Sequence, residues 1–153
     1  MRLTEEKGLV FVLKPADHQA GADGDSILMA RAAHVTFLLN FGAITGDAVL
    51  KLYEGATDAA KTTAKTFTYR LSSADQGAAD ADQWDAAATS AALTLTAAAF
   101  DNRMLAIEFA AEELTDGLDW LTLELSAAAD VLNASCVAVL SKLRYGAGVS
   151  ALA

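Results

Sequence analysis

The chain has 153 residues, with 20 acidic against 11 basic side chains and a net charge of −9. That length suits one domain with a sizeable core and is short for two, and the negative excess works against nucleic acid as a partner. Hydrophobic residues make up 54% of the chain, but alanine supplies much of that; no window approaches the ~18–20 uninterrupted apolar residues of a spanning helix, and two glutamates precede any apolar run, unlike a signal peptide. The expectation is a soluble chain made in the cytoplasm, without a membrane partner, organised as an N-terminal arm (1–7), a β core (8–144) and a small-residue tail (145–153).

Short apolar or alternating runs bounded by Gly, Asp, Asn or Ser dominate, the pattern of strands whose side chains point alternately to two faces. The first, Leu9 to Lys14, is apolar on both faces, and Pro15, the one proline, is expected to stop it because its ring removes a ladder donor. Residues 16–25 hold successive Gly and Asp turns and read as a loop, with Ser26 to Met29 as a short edge strand. His34 to Phe41 places Val35, Phe37, Leu39 and Phe41 on one face. Ala48 to Glu54 follows the Thr45-Gly46-Asp47 turn, and the two predict a hairpin.

Thr66 to Leu71 alternates cleanly, with Phe67, Tyr69 and Leu71 facing in. Residues 72–90 read as a long loop whose one bulky side chain is Trp84. Further strands are predicted at Ala92–Thr96, Met104–Ala110, Trp120–Ser126 and Ser135–Leu143. The alanine tracts at 86–88, 97–99 and 127–129 read as helical turns at strand ends. Eight or nine strands, with no helix-length periodicity, predict an all-β protein: a jelly-roll-like sandwich or small barrel.

The residues offer little chemistry. His18 and His34 lie in no nucleophile motif, and two histidines with one cysteine lack paired zinc-ligand spacing. Cys136 lies in an apolar run and reads as a small buried hydrophobe. Asp23-Gly24-Asp25 and Asp80 to Asp85 gather carboxylates, but neither matches a calcium loop, and both read as solvated turns. Glu108 and Glu124 fall on outward faces, without the cleft that paired-carboxylate chemistry needs. Gly42 to Gly46 lacks the lysine of a phosphate loop. No catalytic, cofactor or metal residue is assigned, and the chain is expected not to be an enzyme. Trp120 falls on the face opposite Leu121, Leu123 and Leu125, where it serves either as an interface anchor or as a cover for its own sheet; Trp84 has the same two readings.

Several runs together resemble a known group: Gly24-Asp25-Ser26, Val35-Thr36-Phe37, Gly42 to Asp47, Phe67-Thr68-Tyr69-Arg70, Leu93 to Ala98, Phe100-Asp101-Asn102, Leu114 to Gly117 and Val139 to Tyr145. They are similar to small virion proteins of tailed bacteriophages. The resemblance implies a capsid decoration, or cement, protein on the virion surface, commonly a homotrimer, bound to the major capsid protein, and it brings no active residues with it. The alternatives are a neck, tail or fibre-base component and a carbohydrate-binding sandwich with Trp84, Trp120 and Tyr53 as stacking platforms. Contact residues are expected at the two ends, Arg2 and Lys7 in the arm and Tyr145 and Val149 in the tail, together with Trp84 and Trp120; the ends flank the strand core, as segments that order on binding do.

Overall fold

The computed structural model describes residues 2–144, so the expected contacts Tyr145 and Val149 lie outside the described residues. In chain order the elements are α1 (Leu3–Glu6), β1 (Gly8–Asp17), β2 (Ala22–Asp23), β3 (Ile27–Leu28), β4 (Ala32–Ile44), β5 (Ala48–Gly55), β6 (Thr63–Lys65), β7 (Phe67–Leu71), β8 (Ala88–Ser90), β9 (Leu93–Leu95), α2 (Ala97–Phe100), β10 (Met104–Ala110), β11 (Trp120–Leu125) and β12 (Leu132–Leu143). The protein is all-β. Sheet A runs β1-β12-β4-β10-β7-β8 and sheet B runs β2-β11-β5-β6, with β3 also on β11 and β9 also on β5.

The inward positions of both sheets form one apolar cluster. Phe37, Leu39 and Phe41 of β4, Leu105, Ile107 and Phe109 of β10, and Ala138 and Leu140 of β12 meet Leu50 and Leu52 of β5 and Leu121, Leu123 and Leu125 of β11. Phe41 and Phe100 meet edge to face at 6.1 Å, a geometry that suits the ring quadrupoles. Cys136 is buried in this cluster as expected, and burial pushes its thiol pKa up.

Three expectations are corrected. Pro15 does not stop the first strand, which continues to Asp17. β1 is an edge strand with its register shifted between Phe11 and Leu13 and again between Leu13 and Ala16, and an edge or a bulge is where a missing N–H is tolerated. The two strands flanking Thr45-Gly46-Asp47 are not a hairpin: β4 pairs with β10 and β12 in sheet A, whereas β5 lies in sheet B. With a long partner on each side, β4 has no free edge for β5, and the connection crosses the core instead. Of the alanine tracts, only 97–99 becomes helical.

The crossing fixes the size of residue 46. Thr45 N–H and Gly46 N–H both donate to the Val131 carbonyl, and a Cβ at Gly46 would strike the backbone of Asp130. Gly46→Val is expected to destabilise the fold by about 1–3 kcal/mol, read as a shift of the urea midpoint; an unchanged midpoint would show that the two segments separate freely.

Candidate interaction face

Because paired residues in an antiparallel ladder share a face, the register of sheet A fixes what its outer surface carries. One row across the sheet is Phe11–Val137–Leu38–Ala106–Arg70, and the next is Leu9–Val139–Thr36–Glu108–Thr68. From β1 to β4 these two rows carry no charge. Phe11 is 69% exposed, Leu9 43% and Trp84 39%, while Val137, Val139 and Leu38 are half-buried. In monomers, contiguous apolar surface of this kind is uncommon and marks contact with another molecule.

At the far end of the same face lies a depression of about 260 Å³ lined by Thr36, Leu38, Thr68, Arg70, Trp84 and Glu108, among others. Ala106, paired with both Leu38 and Arg70, provides its small floor. The expected loop brings Trp84 here because it folds back along β7: Ser72 bridges to Trp84, Asp85 N–H donates to the Leu71 carbonyl at 2.9 Å, and Ser73 N–H donates to the Gln83 carbonyl at 2.9 Å. Arg70 Nη1 donates to the Asp85 carbonyl at 3.2 Å and helps hold the loop.

The outer face of sheet B differs. Lys61 spans Asp23 and Glu124 across neighbouring strands and lies 5.9 Å from the Tyr53 ring centroid. Hydrogen bonds to Glu124 and Asp23, against a smaller cost of burial, raise the Lys61 pKa well above the usual lysine range. Beneath it, Ser26 and Thr122 share a buried hydroxyl hydrogen bond of 2.7 Å, and Ala59 N–H donates to Ser26 Oγ at 3.0 Å. This surface is therefore tied down by polar contacts of the chain itself.

Trp120 lies on that second surface, paired with Gly55 and Leu28 and half-buried, on the face opposite Leu121 as the alternation requires. Trp84 and Trp120 thus belong to different sheets, and Trp84, Trp120 and Tyr53 form no common platform. Arg2 is exposed and Lys7 half-buried, on either side of the single helical turn α1, which Lys7 N–H closes onto the Leu3 carbonyl at 2.9 Å. His18 is buried, with its Nε2 3.0 Å from the Lys14 carbonyl; His34 Nδ1 is 3.4 Å from Ser141 Oγ. Among the described residues no three His, Cys, Asp or Glu side chains are grouped to hold a metal, and no helix is long and apolar enough to cross a membrane.

The sequence reading did not single out Glu54, a carboxylate buried at the core end of sheet B. Thr115 donates to it from both backbone N–H and hydroxyl at 2.8 Å, and Lys65 Nζ lies 3.3 Å away. Burial alone would raise its pKa, but these hydrogen bonds and the lysine charge together hold it below the ordinary value.

No protein-family model matches this chain, and no curated protein matches it. Among solved structures, the crystal structure of SPBc2 prophage-derived protein YomS is similar, with a TM-score of 0.48 and 10% sequence identity over 88% of this chain and 93% of that one. That degree of likeness bears on neither function nor partner.

Proposed function

We propose that the protein is a capsid decoration protein of a tailed bacteriophage, binding the outer shell and stabilising contacts between major capsid protein subunits. The observation that carries this reading is the uncharged apolar strip on the outer face of sheet A, in a chain of net charge −9. Such a strip suits burial against protein, and a negative surface elsewhere suits neither packaged nucleic acid nor non-specific adhesion. The strand and turn patterns that resemble phage virion proteins give the partner its class.

In this reading the protein acts by binding, as a homotrimer on the virion surface, and performs no catalysis. A ligand that binds only the assembled shell stabilises the shell by mass action, and two sheets closed over one core provide a rigid body for that purpose. Arg2 and Lys7 of the arm are the residues proposed to contact coat subunits. Quantitative mass spectrometry of purified particles is expected to find the chain at a copy number comparable to that of the coat protein. A few copies per particle, the stoichiometry of a neck, tail or fibre base, would contradict the proposal.

A further inference from the structure

We infer that a second copy of this chain covers the outer face of sheet A, with Phe11 of one copy seated in the depression beside Trp84 of another. The inference rests on the reading of this face as a protein contact and takes that protein to be a second copy, so that the coat shell is met by the surface the oligomer leaves outside this contact. A knob and a socket occupy the same face of the same chain. Phe11 projects from the β1 edge, and three strands along its own row Ala106 leaves the floor of the depression low. The cavity, about 260 Å³ and bordered by the Trp84 indole and Leu38, has room for one aromatic ring and offers it an aromatic wall.

Knob and socket each carry charges of both signs: Lys14, Asp23 and Asp25 border the depression at Phe11, and Arg70 and Glu108 border the socket. The Asp25 backbone N–H donates to the Val12 carbonyl at the β1 edge. A chain of net charge −9 repels its own copies over most of its surface, and the uncharged rows between β1 and β4 are where that repulsion is least.

Five strands spaced ~4.8 Å apart, with outward positions spanning about 20 Å along β4, cover roughly 400–500 Å² in projection on each copy, so a pair buries roughly 800–1,000 Å² in all, at the lower bound of a specific interface and the size of a weak, concentration-dependent one. Reciprocal insertion would close a pair; the proposed homotrimer instead needs each Phe11 inserted into the next copy with a rotation that closes after three, and either arrangement buries the same side chain in the same socket.

Light scattering on the full chain tests this with wild type, Phe11→Asp, Ala106→Trp and an equimolar mixture of the two variants. Wild type is expected at a whole multiple of 15.9 kDa, and each variant alone is expected to dissociate at least tenfold more readily. The mixture is expected to associate more tightly than either variant alone but less tightly than wild type, because the intact Phe11 of one variant fits the open socket of the other while the reciprocal contact stays broken, a partial rescue that misfolded variants could not give. Phe11 is largely solvent-exposed, so Phe11→Asp reads the interface even if Ala106→Trp fails to fold. A wild-type monomer at every concentration, or an oligomer indifferent to Phe11→Asp, would overturn the inference. A monomer that still pellets with coat shells would overturn it and leave the decoration reading standing; an oligomer that ignores shells would do the reverse.

Discussion

Replacing Phe37 with alanine is expected to lower the unfolding free energy by about 3–5 kcal/mol, the range for deleting a buried aromatic ring. Phe37 is fully buried in the middle of β4, the strand held by β12 on one side and β10 on the other. Its neighbours belong to ladders on both flanks and to the facing sheet, so the cavity has little room to collapse. Stabilities of small domains run to about 5–15 kcal/mol, which makes this loss a large share of the total. Phe11→Ala, on the outer face of the same sheet, is expected to change monomer stability by less than about 1 kcal/mol. Urea unfolding of both variants checks the contrast, and equal losses would contradict the assignment of the two faces.

Replacing Glu54 with alanine is expected to cost about 1–3 kcal/mol, because it removes the buried acceptor of the Thr115 N–H and hydroxyl and the counter-charge of Lys65, partners that lie nearer the surface than Glu54 itself. The loss depends on pH with a definite sign. The folded pKa lies below the ordinary glutamate value, so the folded state binds the proton less readily than the unfolded chain. The contribution of Glu54 is therefore fully present above the ordinary value, about 4.3, and is lost as pH falls through the folded value. Denaturation midpoints of wild type and Glu54→Ala should lie far apart at neutral pH and converge in acid. A gap that stayed constant into acid would show that the carboxylate charge contributes nothing.

Local pattern carried much of the fold. Met104–Ala110 is a strand with the bounds its residues predict, and the turn at Asp101-Asn102 precedes it. What local pattern does not carry is the choice of partner. Val35 to Phe41 and Ala48 to Glu54 alternate in a way that serves a hairpin and a crossing equally well; β12, about a hundred residues later in the chain, decides between them by occupying one edge of β4. Three strands of two or three residues, β2, β6 and β8, fall outside the predicted runs, two of them in stretches that read as loops, and raise the count among the described residues to twelve. They are too short for any periodicity to reveal.

The interaction face was half legible. Leu9 to Leu13 is apolar on both faces, and that excess reappears as the exposed Leu9 and Phe11 of an edge strand. Trp84 stood out as the one bulky side chain of its loop, but its place beside Ala106 depends on the loop folding back along β7, through contacts of residues 12 to 15 positions apart. Glu54 carried no signal at all: its partner Thr115 is 61 residues away, and a glutamate at the end of an alternating strand looks like a solvated one.

Under the proposed function this β-sandwich works by binding an assembled protein shell. Co-sedimentation of the full chain with assembled shells of the coat protein proposed as its partner, alongside free coat subunits, separates that reading from its alternatives. The chain is expected to pellet with shells, saturating at a fixed ratio to coat protein, and to ignore free subunits. A chain that stays in the supernatant at every shell concentration would contradict it.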